Sequence, residues 1–269
     1  MTPEQSDLVA LTRAFADVGG NVDEEMSFYG PNPVYDLSAM GIGIFEGRSA
    51  IRTFLDGWMK SYEAYDEEVE EIRDLGGGAT FCIIRESARP RGSDARARVH
   101  SLYAFVIIWT DGKIARLTAY PEVDQGRAAA ERLAEELGQA LSQENVETVR
   151  RAIAAINARD IDAYLACCTE NVELLTPLVG AEYLGADGIR RFLTDIEDAG
   201  PDFRIEVQTV RAVGDSHALA FVRVGSTGRA SGIVTGAESA NVYDFIDGKI
   251  SRVRIFLDRD EALKAVGLE

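Results

Sequence analysis

The chain has 269 residues, of which 46% are hydrophobic, and this is enough to bury the cores of two domains of common size. Its formal net charge of −17 repels phosphate backbones, so we expect no nucleic-acid partner. The longest apolar runs are far shorter than the roughly 20 residues that a membrane-spanning helix needs, so we expect no membrane partner.

The N-terminal segment, MTPEQSDLVA, lacks the basic start and apolar stretch of a signal peptide, which predicts a cytoplasmic protein. Its three cysteines, Cys82, Cys167 and Cys168, do not have the spacing of a disulfide or zinc framework. The two histidines, His100 and His217, are isolated from each other and from the cysteines. We therefore predict no metal ion and no cofactor.

The first elements of the chain are predicted to be two helices. Thr2 to Gln5 forms a capping box that opens a helix, and Gly19 and Gly20 close it. Asn21 caps a brief second helix, and residues 34–38 form the first strand. A third helix is predicted at residues 47–62, with one apolar side made by Ile51, Phe54, Leu55 and Trp58.

Four long strands follow these helices, at residues 65–75, 79–89, 95–109 and 113–121. The acidic run DEEVEEIRD, residues 66–74, is interpreted as the solvated face of the first of them. Helices that precede an antiparallel meander favour an α+β fold, with the helices on one face of a curved sheet.

The second half of the chain repeats this order. A helix at residues 124–138, with Gly138 as its stop, joins the halves, and Ser142 caps the next helix, which reaches Ala158. Asp160 caps a short helix, and a strand at 171–176 and a helix at 187–199 follow. The last strands are predicted near residues 202–213, 216–228, 230–245 and 249–257.

Two phrases occur twice. TDGKIARLTAY at residues 110–120 matches IDGKISRVRIF at 246–256, and EGRSAIRTFL at 46–55 matches LGADGIRRFL at 184–193. The Asp-Gly pairs between apolar runs predict tight β-hairpins. A repeat this long indicates a duplicated domain, so we predict domains at residues 1–138 and 139–269.

Each half resembles a SnoaL-like domain of the nuclear-transport-factor-2-like superfamily. The resemblance lies in SQENVETVRRAIAAINARDIDAYL, residues 142–165, and in VYDLSAMGIGIFEGRSAIRTF, residues 34–54. It implies two cone-like α+β barrel domains, each a curved antiparallel sheet wrapped on N-terminal helices around a blind pocket. Ketosteroid isomerase, limonene epoxide hydrolase, polyketide cyclases and non-catalytic members share this shape, so the fold does not define a reaction.

The catalytic sets of these enzymes are not retained. At the ketosteroid isomerase positions of the base, the acidic donor and the Tyr, the second half has Thr176, Asn241 and Ala152. In the first half the base position falls at Ser38, with Asp36 one pleat earlier on the same strand face. Asp36 is a candidate base if an apolar pocket raises its pKa. It is otherwise a strand-end carboxylate that caps a turn or meets an arginine such as Arg85.

The Asp-Arg-Asp set of limonene epoxide hydrolase is also missing, because Ser87 and Gly225 stand two positions after Arg85 and Arg223. Polyketide cyclases of this type use an acidic pocket residue, and Glu122 and Asp258 occupy equivalent places in the two halves. Because both copies have such a residue, we favour a helix-capping role for it.

The first half contains 14 of the 22 aromatic residues. Some of them are expected to line a small apolar cavity, although ordinary core packing explains any single one: Trp58, Tyr62, Tyr103, Phe105, Trp109 and Tyr120. In the second half, Asn241 and Tyr243 share a strand face and either contact a ligand or satisfy a buried water.

These observations leave two functions open. The first is binding of a small hydrophobic molecule, mainly in the first half, by Tyr35, Trp58, Tyr62, Arg85, Tyr103, Phe105 and Tyr120, with Thr176, Asn241 and Tyr243 in the second half. The alternative is an acid/base enzyme of the isomerase, cyclase or dehydratase type, acting on a carbonyl or polyketide-like substrate with Asp36 as the base.

The enzyme reading requires Asp36 to be buried in a cavity with a raised pKa, near Tyr35, Tyr62, Tyr103 or Arg85. The duplication makes a further prediction. Domains of this family commonly pair through their sheets, so the two copies are expected to form a pseudo-dimer within one chain.

Overall fold

The computed structural model describes residues 3–94, 98–177, 181–199, 202–227 and 234–268. The chain divides into two compact units, Met1–Leu137, called unit 1, and Gly138–Glu269, called unit 2. None of the helices in the described ranges combines the length and the apolar character needed to cross a lipid bilayer.

Among its described residues, unit 1 has three helices before the start of α4 (Val123–Ala158), and six strands. The helices are α1 Pro3–Ala16, α2 Val22–Phe28 and α3 Arg48–Lys60. The strands are β1 Tyr29–Leu37, β2 Gly43–Glu46, β3 Tyr62–Gly76, β4 Ala79–Pro90, β5 Val99–Thr110 and β6 Lys113–Tyr120. A 3-10 turn, Ser38–Met40, separates β1 from β2.

Unit 2 has the same sequence of elements. Helix α4, Val123–Ala158, contains the boundary between the units, and it is followed by α5 Ile161–Ala166, α6 Gly185–Ala199 and α7 Arg259–Ala265. The strands are β7 Cys168–Thr176, β8 Ala181–Leu184, β9 Arg204–Val213, β10 His217–Thr227, β11 Val234–Ile246 and β12 Lys249–Phe256.

The two sheets have the same strand order. It is β2-β1-β6-β5-β4-β3 in unit 1 and β8-β7-β12-β11-β10-β9 in unit 2, and both sheets have six strands. This confirms the predicted α+β fold and the duplication. The sheets are mixed, because β1 pairs parallel with β6 and β7 pairs parallel with β12, and neither sheet closes into a barrel. The two cone-like α+β domains are thus confirmed, with sheets that are mixed instead of antiparallel and that stay open.

The two Asp-Gly hairpins are confirmed. Asp111 and Gly112 have φ values of 51° and 68°, and Asp247 and Gly248 have values of 51° and 70°. Two consecutive residues with positive φ define the type I′ turn, whose twist matches that of paired strands. The turns join β5 to β6 and β11 to β12.

The helix ends were predicted with mixed success. Asn21, Asp160 and Asp258 each accept a backbone N–H bond as predicted N-caps of short helices. The predicted break near Gly138 and Ser142 was wrong, because α4 continues through both residues. The Ser142 hydroxyl donates instead to the carbonyl oxygen of Gly214, at 2.8 Å. The Thr2 to Gln5 capping box falls partly outside the described residues.

Each sheet has an inner face against the first helices of its unit and an outer face against a later helix. In unit 1 the inner cluster includes Phe15, Leu55 and Leu117, whereas Phe81 and Ala130 belong to the outer cluster with α4. The period of two along a strand sends neighbouring residues to opposite faces. An inner-face residue of β1, β3, β4 or β5 is therefore placed to reach the space under α1–α3.

Candidate functional site

Unit 1 contains a cavity between its first three helices and the inner face of its sheet. The cavity is partly open to solvent. Phe15 lines it from α1, Val18 from the turn after α1, and Phe54 and Trp58 from α3. The strands contribute three tyrosines, namely Tyr35, Tyr65 and Tyr103. The walls are thus largely apolar, with hydroxyl groups at a few points.

Aromatic rings on α3 form one side of this cavity. Phe54 stacks on Phe45 with ring centroids 4.4 Å apart, and it contacts the rings of Trp58 at 5.8 Å and Tyr35 at 5.9 Å. Phe54 and Trp58 are four residues apart, so a helix places them on the same side. Trp58 also contacts the ring of Tyr62, at 5.7 Å.

Three glutamates line the same cavity: Glu25 on α2, Glu67 on β3 and Glu86 on β4. Glu67 and Glu86 are directly paired across the two strands. The Tyr65 hydroxyl lies 2.6 Å from Glu67 Oε1 and 3.0 Å from Glu86 Oε2. A phenol has one proton to donate, so both contacts are hydrogen bonds only when one of the carboxyls is protonated.

Burial shifts the pKa of all three carboxyl groups upward. It raises the pKa of Glu25 to about 8, with a further rise from the nearby charge of Glu67, although a hydrogen bond from Tyr29 opposes the shift. Burial likewise raises the pKa of Glu67 to about 7, against the lowering effect of Tyr65, and the charge of Glu86 adds to the rise. The pKa of Glu86 is also raised by burial. At neutral pH the cluster is therefore poised between protonated and ionised forms.

The expected position of Asp36 needs correction. Tyr35 and Leu37 line the cavity, whereas Asp36, between them on β1, belongs to the opposite strand face and is not among the lining residues described. Burial raises the pKa of Asp36, but hydrogen bonds from Ser38 and from Arg116, with the charge of Arg116, outweigh it and leave the pKa lowered. Arg116 Nη2 donates to Asp36 Oδ2 at 2.5 Å. This carboxylate is therefore a structural ion-pair partner, and its lowered pKa does not suit it to act as a base near neutral pH.

Four of the other residues predicted for the first half line the cavity, namely Tyr35, Trp58, Tyr103 and Phe105. Arg85 points away and pairs with Glu70. Tyr120 packs with the outer cluster. Tyr62 contacts the ring of Trp58 but is not among the residues that line the cavity. The corrections for Arg85 and Tyr120 both follow from the alternation of strand faces, as each lies next to an inner-face residue.

In unit 2 the predicted residues are buried in or near the core. Tyr243 is 3% exposed within the inner cluster, and burial raises its pKa to about 12. Asn241 lies two residues earlier on the same face and accepts a bond from the Ser239 hydroxyl at 3.3 Å. Thr176 and Glu182 both line a shallow depression on the surface of unit 2. Ligand binding by Thr176, Asn241 and Tyr243 stays a prediction.

The three glutamates of unit 1 have no acidic counterparts in unit 2. The pairing of Val224 with Ile205 corresponds to that of Glu86 with Glu67. Tyr164 and Glu25 each stand four residues after the N-cap of the short second helix. The counterparts of Glu25, Glu67 and Glu86 are thus Tyr164, Ile205 and Val224, which pack in or against the inner cluster of unit 2.

Sequence reasoning missed these glutamates. Glu67 falls in the acidic run 66–74, whose neighbours Asp66, Glu68 and Glu70 are indeed exposed. The interpretation of the whole run as a solvated face was therefore wrong for Glu67. A signal was available, because comparison of the two copies places carboxyl groups in unit 1 where unit 2 has apolar or aromatic side chains.

Residues 149–253, within unit 2, match the family described as the SnoaL-like domain, which confirms the resemblance for that part of the chain. No curated protein matches the chain. Within the described ranges, no group of three or more His, Cys, Asp or Glu side chains has an arrangement that could hold a metal ion.

Three of the solved structures that are similar to this chain each align with less than half of it. An uncharacterized cystatin-fold protein from Novosphingobium aromaticivorans is 28% identical, covering 42% of this chain and 97% of its own, with a TM-score of 0.38. An NTF2-like protein of unknown function from Burkholderia pseudomallei is 18% identical, covering 46% and 98%, with a TM-score of 0.40. A putative SnoaL-like polyketide cyclase from Jannaschia is 16% identical, covering 48% and 95%, with a TM-score of 0.40.

Proposed function

We propose that this chain binds a small, mostly apolar molecule in the cavity of unit 1. The observation that supports this most directly is the aromatic wall formed by Phe54, Trp58 and Tyr35 around space that the protein itself does not fill. Ligand sites are typically concave and apolar, with a few polar groups that fix the orientation of the ligand.

The polar groups in this cavity suit that role. The hydroxyls of Tyr35 and Tyr103 make no hydrogen bond to any other residue that the structure describes, although both tyrosines line the cavity. Each hydroxyl is therefore open to bond a ligand oxygen or nitrogen, and such a bond contributes about 1 kcal/mol. We therefore expect a ligand with an apolar body and at least one hydrogen-bonding group.

Calorimetric titration with 2-naphthol, a neutral aromatic probe, tests this proposal. Phe54→Ala removes a ring from the cavity wall, and Phe192→Ala removes the equivalent ring from α6 of unit 2. We expect Phe54→Ala to weaken binding at least about tenfold, because a large apolar contact is lost, and Phe192→Ala to leave it unchanged. Equal weakening by both variants, or no binding to the wild-type protein, would contradict the proposal.

A second candidate function is acid/base catalysis on a carbonyl compound. It is favoured by one specific observation, namely that Tyr65 bridges two carboxyl groups whose pKa values are raised, that of Glu67 to about 7. An ionised Glu67 accepts a proton from the carbon next to a carbonyl, and a tyrosine hydroxyl donates a hydrogen bond to the enolate oxygen that forms.

Deuterium exchange into phenylacetone, followed by NMR in D₂O, tests the catalytic candidate. We expect the wild-type protein to accelerate the exchange and Glu67→Gln to abolish the acceleration. Asp36→Asn is the control, because Asp36 lies on the other strand face and its loss leaves the cavity groups in place. Acceleration that survives in Glu67→Gln and disappears in Asp36→Asn would reverse the assignment.

We further propose that residues 1–138 and 139–269 are two SnoaL-like domains that pair within one chain in the cytoplasm. The shared strand order and the repeated phrases support the assignment of the first domain, which the family match does not reach. Sedimentation at a mass near 29.3 kDa is expected for an internal pair, and a mass of twice that value would indicate pairing between chains.

A further inference from the structure

We propose that the unit 1 cavity selects molecules that carry a small organic cation, either a protonated amine or a quaternary ammonium group, over neutral molecules of the same shape. This inference rests on the proposed binding function and names the ligand class of that site.

The first support is the imbalance of charge around the cavity. Three carboxyl groups line it, and no Lys, Arg or His is among the lining residues that the structure describes. Glu86 is 5% exposed, and only one of its two oxygens has a hydrogen-bond partner among the described residues. A buried carboxylate without a counter-ion is costly, so a cation delivered by a ligand compensates for what the protein does not supply.

The second support is the kind of wall that faces these carboxyl groups. Aromatic ring faces attract cations through their quadrupole, and Trp is the most effective. Phe54, Trp58 and Tyr35 surround the same space as Glu25 and Glu67. A metal ion or a strongly hydrated ion gains little from such a wall, whereas an alkylated ammonium group contacts ring faces and carboxylates at once.

The charge of the site is set by its glutamates. The other titratable groups that face them are Tyr29 and Tyr35 on β1, Tyr65 on β3, Cys82 on β4 and Tyr103 on β5. Phenols and thiols are neutral near pH 7, and burial raises the pKa of Tyr29, Tyr35, Tyr65 and Cys82 further. Helices α1 and α3 and strand β6 contribute no titratable group to the described lining.

Cation binding must therefore be coupled to loss of protons from the site. A bound cation favours the ionised carboxyl groups, so it lowers their pKa values toward the ordinary range and releases protons. Affinity for the cation rises with pH as Glu67 and Glu25 ionise, with pKa values of about 7 and about 8. A neutral molecule of the same shape has no such dependence on ionised carboxylates.

The test compares phenyltrimethylammonium with its neutral isostere tert-butylbenzene, titrated against intrinsic tryptophan fluorescence at pH 6 and pH 9. Trp58 lines the cavity, whereas the other tryptophan, Trp109, is buried and bonded to Thr80. We expect the cation to bind at least about tenfold more tightly than the isostere at pH 9 and to lose most of that advantage at pH 6.

Two variants separate the carboxyl groups from the rest of the cavity. Glu67→Gln and Glu25→Gln are expected to lower affinity for the cation at pH 9 several-fold while affinity for tert-butylbenzene is retained. Glu68→Gln is the matched control, because Glu68 is adjacent to Glu67 but exposed on the other strand face. Circular dichroism establishes that each variant is folded, and either glutamine variant alone is sufficient for the test.

The outcomes distinguish this inference from the proposed function. If the neutral isostere binds as tightly as the cation, or if neither glutamine variant affects the cation, the charge selection is wrong and apolar binding stands. If neither probe binds to the wild-type protein at either pH, both the inference and the proposed function are wrong.

Discussion

The carboxyl groups of Glu25 and Glu67 are expected to make the protein more stable at about pH 5 than at about pH 8. Their pKa values are raised from 4.5 to about 8 and about 7, so the folded chain keeps protons that the unfolded chain releases. Unfolding free energy then falls as the pH rises from about 5 to about 8. The expected fall is several kcal/mol, because each unit of pKa shift corresponds to about 1.4 kcal/mol, and urea unfolding at a series of pH values measures it.

Glu67→Gln removes the cost of ionising one of these groups. We expect this variant to be more stable than the wild-type protein at pH 9, by about 1–3 kcal/mol, and nearly equal to it at pH 5. Glu68→Gln, on the exposed strand face, should have no pH-dependent effect. A uniform loss of stability in Glu67→Gln at both pH values would mean that the Tyr65 hydrogen bond, not the ionisation, dominates.

The ion pair between Asp36 and Arg116 has the opposite pH dependence. The pKa of Asp36 is lowered in the folded chain, so its contribution is present above its ordinary value of 3.8 and is lost as the pH falls through the folded value. Asp36 is 11% exposed in its side chain, and we expect Asp36→Asn to lower unfolding free energy by about 1–2 kcal/mol at pH 7.

An ion pair in unit 2 can be compared with the pair of Asp36 and Arg116. Arg252 in β12 occupies the place of Arg116 in β6, and it pairs with Glu173, whose side chain is 38% exposed. Exposed pairs contribute little, so Glu173→Gln should cost at most about 0.5 kcal/mol under the same conditions. Equal losses of unfolding free energy in Asp36→Asn and Glu173→Gln would show that burial of Asp36 does not strengthen its ion pair.

At the residue scale, the sequence predicted much of the cavity wall but not its charge. Trp58 was placed correctly because helical spacing aligns it with Phe54 on the apolar side of α3. Strand residues reach the pocket from one face only, and a shift of one position changes the face. Arg85 was misplaced because the sequence alone did not show on which face it lies. Glu67 was missed for the same reason, since acidic neighbours on both sides concealed the alternation.

At the element scale, helix α4 offers a matched pair of glycines. A Cβ added at Gly138 meets nothing within 4 Å, whereas one added at Gly126 lies 2.3 Å from the Cβ of Ala104. Gly138→Ala is therefore expected to stabilise the protein by about 0.5–1 kcal/mol, because alanine restricts the unfolded chain and favours the helix. Gly126→Ala should destabilise it, and thermal unfolding of both variants checks the contrast.

Elements with a local physical signal were predicted, and those without one were not. The Asp-Gly hairpins follow from the positive φ values that a type I′ turn requires. The short edge strands β2 and β8 have only four residues each, too few to display a period of two. The break expected at Gly138 was wrong because one glycine costs a helix only about 1 kcal/mol and helix-forming residues flank it on both sides.

At the scale of the whole molecule, the two units share a fold but differ in their interiors. Unit 1 has glutamates at the positions where unit 2 has Tyr164, Ile205 and Val224 in or against its core. We therefore expect one molecule of 2-naphthol or phenyltrimethylammonium to bind per chain in calorimetric titration. Two molecules per chain would indicate that the interior of unit 2 also opens to ligands.

The carboxyl groups of Glu67 and Glu86, bridged by the Tyr65 hydroxyl, have a consequence for the pH of the solution around the protein. Groups that exchange protons near neutrality resist changes of acidity, and the folded chain holds such groups where the unfolded chain has ordinary glutamates. Potentiometric titration should accordingly find that the native protein has a greater buffering capacity between pH 6 and pH 8 than the same chain in concentrated urea.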